Sequence, residues 1–145
     1  MMQAKKVYGT AIKEGISRNN IRYTKEEISK FVPTLQEVSI IKDHIGTCDN
    51  TIGLVEKSVT LDNGKLGKYE GWIKDDDVNE KIADKRLKAV SIGAACGKLV
   101  KEKDDDQVLT AIDMEAIELS VTPIPGIKGA SISHSLESGK PVFEN

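Results

Sequence analysis

Residues 52–73 read IGLVEKSVTLDNGKLGKYEGWI, and this stretch decides the fold class. Two β-rich runs, Ile52 to Leu61 and Leu66 to Ile73, carry the β-branched and aromatic side chains that suit a pleated surface. Between them Asp62-Asn63-Gly64 offers an Asn-Gly pair able to take the positive φ angles of a type I′ turn, so the segment predicts an antiparallel hairpin.

On either side the pattern repeats. Strands are predicted over Val7 to Ile12, Val38 to His44, Val90 to Val100 and Val108 to Val121, the last closed by Pro123 and Pro125. Thr24 with Glu27 three residues later forms a capping box, predicting a short helix that carries Ile28, Phe31 and Val32 and stops near Pro33. Asp75, Asp76 and Asp77 predict a second helix running to about Ala89, with Lys85, Arg86 and Lys88 at its negative end. Strands dominate and are joined mainly by hairpin-length turns. The expectation is a mainly β fold with some α, an antiparallel β-sheet or barrel flanked by a few helices. At 145 residues one domain is the default, assigned to residues 1–130, and the polar segment 131–145 is expected to be a flexible tail.

Composition excludes several function classes. The 21 basic and 23 acidic side chains leave a net charge of −2, without a basic stripe interleaved with aromatics, so no nucleic-acid partner is expected. No apolar run approaches the roughly 18 residues of a membrane span, so no membrane partner is expected. Cys48 and Cys96 are too few for a disulfide framework and no secretory signal opens the chain, which fits a reducing cytoplasm.

Few residues can carry chemistry. Of the two histidines, His134 falls in the expected tail, which leaves His44, at the end of an apolar strand and before a polar turn, as the imidazole for acid–base work. The plainer alternative is a strand-end histidine bonded to a neighbour. Ser91 interrupts the apolar run from Ala89 to Cys96 among small residues (Gly93, Ala94, Ala95, Gly97) that leave room for an approaching backbone, as a nucleophile needs; it also fits a buried structural serine. Strict alternation places Glu118 on the strand face of Ile112, Met114 and Ala116, where an ionised carboxylate needs a cation or an imidazole N–H. Asp113 and Glu115 fall on the other face as competing carboxylates. His44, Cys48, Asp43 and Asp49 lack a second ligand pair, so no metal site is expected, and nothing near Cys96 would activate its thiol as a nucleophile.

In order along the chain, Val7-Tyr8-Gly9, Ile40-Ile41-Lys42-Asp43-His44 followed by Ile52-Gly53, Val90-Ser91-Ile92-Gly93, and Glu118-Leu119-Ser120-Val121-Thr122-Pro123 with Pro125 and Ala130 resemble the prohead protease family of tailed bacteriophages, which is related in fold to the herpesvirus assembly proteases. The resemblance covers most of residues 6–130. It implies a β-barrel flanked by helices and a serine endopeptidase that cuts scaffold and capsid-protein segments, and itself, inside the assembling prohead in the host cytoplasm. Ser91 would be the nucleophile, His44 its base and Glu118 the acid, with no cofactor; a homodimer is implied only by the relatives. Two rival readings stand beside it: a catalytically inactive capsid-assembly or scaffold module of the same fold, and an unrelated small β-barrel binding domain.

Overall fold

The structure, a computed structural model, describes residues 3–105 and 107–134. In chain order its elements are β1 (Lys5–Lys13), β2 (Gly15–Ile16), β3 (Ile21–Tyr23), α1 (Lys25–Phe31), β4 (Ser39–Lys42), β5 (Thr51–Leu61), β6 (Leu66–Ile73), α2 (Asp76–Ala83), β7 (Ala89–Lys101), β8 (Leu109–Thr122) and β9 (Ser133–His134). No helix among the described residues is long and apolar enough to cross a membrane.

The central hairpin forms as predicted, with β5 and β6 paired antiparallel from Gly53 opposite Ile73 to Leu61 opposite Leu66. Its connection differs. Asp62, Asn63 and Gly64 all take left-handed φ (53°, 55° and 93°), giving a four-residue loop, Asp62 to Lys65, in place of a two-residue type I′ turn. All three residue types tolerate that conformation, so the Asn-Gly signal locates the reversal without fixing its length.

From this hairpin the sheet grows both ways. β6 continues to β1 and β5 to β4, both antiparallel; β4 then lies parallel to the end of β8, while β3 lies parallel to its start. β7 runs antiparallel along the whole of β8. The expectation of a closed antiparallel barrel is therefore corrected: among the described residues the hydrogen-bonded path runs β7-β8-β4-β5-β6-β1 and does not close, and the sheet is mixed. Parallel neighbours arise because β3 and β4 reach β8 through long crossovers, which local turn signals do not report.

The gap between β1 and β7 is occupied by residues 131–134. Ser131 N–H donates to Thr10 O at 2.9 Å, Ile132 N–H to Lys88 O at 3.1 Å, and β9 pairs with Val7 and Tyr8. Ile132 is buried, and the buried Tyr69 hydroxyl donates to Ser131 O at 2.8 Å. The tail assigned from residue 131 is thus wrong for residues 131–134, which belong to the domain; residues 135–145 lie outside the described residues. One buried isoleucine and a few backbone bonds suffice to dock so short a segment, and neither produces a periodicity. Gly9 makes the docking possible, since a methyl group there would stand 2.6 Å from the Ser131 carbonyl carbon and closer still to its oxygen.

Helix α1 starts as its capping box implies: Thr24 Oγ1 accepts from Glu27 N–H at 3.3 Å. The Glu27 side chain goes elsewhere, accepting from Asp113 N–H at 3.2 Å and pairing with Lys30 at 3.0 Å. This bond ties α1 to β8 at a residue of left-handed backbone (Asp113, φ 55°). Ile28 and Phe31 are fully buried in one core with Ile12, Leu35, Ile40, Tyr69 and Leu119. Truncating Phe31 to alanine would cost about 3–5 kcal/mol in such a setting. Helix α2 begins on Asp75, whose carboxylate accepts from Val78 N–H at 2.9 Å, but ends at Ala83 and not near Ala89, because Lys85 turns left-handed (φ 68°).

Candidate functional site

β8 organises the site, with β4 along one edge of its C-terminal part and β7 along the other. In register, Ser120 stands between Ile41 and Ser91, and Glu118 between Ser39 and Gly93. Directly paired residues project to the same face, so Ser91 and Gly93 share a face with Ser120 and Glu118, while Val90, Leu119 and Val121 point into the core.

Beyond Lys42 the chain reverses sharply. Asp43 and His44 both adopt left-handed φ (50° and 58°), a conformation costing about 1–2 kcal/mol per non-glycine residue and commonly retained at functional sites. Bonds to β8 hold it: Asp43 N–H donates to Val121 O at 3.2 Å and His44 N–H to Ser120 Oγ at 2.9 Å. The half-exposed His44 ring is thereby folded back over β8, and its Nδ1 lies 2.5 Å from Glu118 Oε1. The other carboxylate oxygen accepts from Ser120 Oγ–H at 2.6 Å. An ionised carboxylate at this position selects the Nδ1–H tautomer, and among the described residues Nε2 makes no hydrogen bond, which leaves it to take a proton.

Glu118 therefore meets the imidazole N–H that its burial demands, although the alternation used to place it does not hold. Ile117 is an extra residue in β8, opposite the Gly93–Ala94 step, so Ala116 pairs with Ala94 and Glu118 with Gly93. Across this bulge Glu118 and Ala116 fall on opposite faces. The competing carboxylates are exposed, and Asp113 is engaged by Lys30 at 3.2 Å. Gly93 also has a different role from the one expected. A methyl group there would stand 2.6 Å from Glu118 Cδ and nearer still to Oε1, so its bareness accommodates the carboxylate and not a foreign backbone.

Ser91 is half-buried beside this pair. Its Oγ makes no hydrogen bond with the His44 ring among the described residues; it lies 3.6 Å from the point where a Gly126 Cβ would stand, so the loop after β8 passes over it. Apo spacing between a nucleophile and its base is commonly loose. The structure brings His44 and Glu118 into direct contact and sets Ser91 across from Ser120 on the adjacent strand of the same face.

Ser120 is the residue that sequence reasoning missed. Fully buried, it holds both the His44 backbone and the Glu118 carboxylate. A serine between Leu119 and Val121 was the available signal, two residues from a carboxylate and hence on its face. The remaining candidates lie apart from this chemistry. Both cysteines are exposed and free, and partial burial pushes the Cys96 thiol above its ordinary value. His134 pairs through Nε2 with Asn79 Oδ1 at 3.0 Å, and burial with Lys5 nearby lowers its pKa.

No family model matches the chain, and no curated protein matches it by sequence. Among solved structures, the varicella-zoster virus protease superposes with a TM-score of 0.57 at 12% identity, over 92% of this chain and 64% of the protease. The chain thus spans somewhat less than two thirds of that protein's length. At this identity the likeness speaks to architecture, and the chain has a herpesvirus-protease-like fold.

Proposed function

We propose that the protein is a serine endopeptidase of phage prohead maturation, acting on scaffold and capsid-protein segments, with Ser91 as nucleophile, His44 as general base and Glu118 as the acid that orients it. One observation carries this reading: His44 Nδ1 meets a buried carboxylate on the sheet face that Ser91 shares. The fold likeness to a viral protease and the order of the four sequence motifs favour it over a binding module.

In this mechanism His44 Nε2 takes the Ser91 hydroxyl proton as Oγ bonds to the scissile carbonyl carbon, moving the carbonyl π pair onto oxygen. Collapse of that oxyanion breaks the C–N bond, and His44 returns its proton to the departing amine. Water, deprotonated by the same nitrogen, then attacks the acyl-enzyme, releasing the acid and restoring Ser91. Glu118 keeps the Nδ1 proton and stabilises the imidazolium that forms twice in the cycle.

Reaction with a serine-directed phosphonate tests the proposal. The expected result is one adduct, on Ser91, absent in Ser91→Ala, together with cleavage of a scaffold or capsid peptide that Glu118→Gln slows by about 10²–10⁴-fold. An unlabelled Ser91 and an intact peptide would favour the inactive assembly module. Wild-type cleavage by Glu118→Gln, with loss in Glu115→Gln or Asp113→Asn, would move the acid to another carboxylate.

A further inference from the structure

The turn between β2 and β3 reaches across to the loop that overlies Ser91. Ser17, buried at its base, accepts from the Asn19 and Ile21 N–H groups at 3.3 Å, and its own N–H donates to Ile21 O at 2.8 Å. β3 is in turn paired to the start of β8. Arg18 is thus presented from a braced turn, and it grips the loop twice: Nε donates to Pro125 O at 2.8 Å and the backbone N–H donates to Gly126 O at 2.9 Å.

Those two carbonyls belong to consecutive peptide units, Pro125–Gly126 and Gly126–Ile127. Both units are trans, so each N–H points opposite to its carbonyl. With both carbonyls drawn toward Arg18, the Gly126 and Ile127 N–H groups project from the other side of the loop, and among the described residues neither donates a hydrogen bond. Successive free N–H groups of this kind form a concave donor pair suited to an anionic oxygen. Gly126 is also the residue that lies over Ser91 Oγ.

We propose that Arg18 is a positioning residue of the peptidase: it holds the 125–127 loop so that the Gly126 and Ile127 N–H groups serve the oxyanion formed when Ser91 attacks. The guanidinium charge further polarises the Pro125–Gly126 peptide, making its N–H the stronger donor. Because Arg18 acts through the loop and touches no substrate, its effect falls on the charged transition state and not on ground-state binding.

This inference rests on the proposed peptidase activity, and the experiment separates the two. Steady-state cleavage of a capsid-protein peptide is measured for the full wild-type chain and for Arg18→Ala. The expected result is a kcat about 10-fold lower with KM within about twofold, and partial restoration of kcat by free methylguanidinium, which leaves the wild type unchanged. Should Arg18→Ala fail to fold, Arg18→Gln carries the same comparison. An active wild type with unaltered kcat in the variant, or a loss confined to KM, overturns the role of Arg18. A wild type that neither cleaves nor takes up the phosphonate overturns the peptidase reading itself.

Discussion

Gly93→Ala tests the site by moving one group a small distance. The added methyl would stand 2.6 Å from Glu118 Cδ, whereas ordinary van der Waals contact begins at 3.4 Å, so the carboxyl group must retreat by about 0.8 Å at Cδ and further at Oε1. The atoms met all belong to the Glu118 side chain, Cγ included at 2.9 Å, and that side chain yields more easily than β7 or β8 would. The His44 contact of 2.5 Å and the Ser120 contact of 2.6 Å both depend on the present position of that carboxylate. Misplacing a catalytic group by about 1 Å costs on the order of 10²-fold in rate. On the proposed peptidase activity, the expected result is therefore a kcat reduced about 100-fold, with KM little changed and a cooperative thermal transition retained. Steady-state cleavage of a capsid-protein peptide, with a melting curve on the same preparation, measures both. A folded Gly93→Ala enzyme with wild-type kcat would refute the argument that this glycine exists to admit the carboxylate.

Ser120→Ala removes an acceptor for the His44 N–H and a donor to Glu118 at a fully buried position, so it should lower stability by about 1–3 kcal/mol in urea and slow peptide cleavage; unchanged values of both would show Ser120 to be a bystander. Gly9→Ala should expel residues 131–134 from the gap between β1 and β7, raising amide hydrogen exchange at Ser131 and Ile132 while the β5–β6 hairpin stays protected. For His134, a folded-state pKa below the ordinary histidine value means that the unfolded chain binds the proton more readily. Its contribution to stability is thus present above the unfolded pKa and lost as pH falls through the folded one, and His134→Gln should flatten the stability profile below about pH 6.5.

Local chemistry was legible wherever it left a period or a punctuation mark. Thr24 and Asp75 announced both helix starts, the Asn-Gly pair located the central hairpin, and apolar runs outlined β1, β7 and β8, because caps, turns and side-chain faces are decided within a few residues. Helix ends were read less well: Lys85 turns left-handed in a stretch with helical composition, and Leu87 N–H donates back to Lys81 O at 2.9 Å to close the turn. The candidate site followed the same division. Scarcity singled out His44, small surroundings Ser91, and an unaccompanied charge Glu118, all properties visible along the chain.

What only the tertiary structure decided is how these residues meet. The Ile117 bulge reverses the face on which Glu118 lies relative to Ala116, and a one-residue insertion of that kind is a property of the pairing with β7, not of β8 alone. Parallel placement of β4 against β8 brings the His44 backbone to Ser120, which no local signal could foretell because 76 residues separate them. The bareness of Gly9 and Gly93 likewise acquires meaning only from what approaches, the Ser131 carbonyl in one case and the Glu118 carboxylate in the other. The amino-acid sequence by itself marked His44, Ser91 and Glu118 as candidates for chemistry and outlined the long strands, though not the short β2, β3 and β9. Their assembly was set by long-range backbone pairing, whose register is a joint property of two strands and is written in neither one separately.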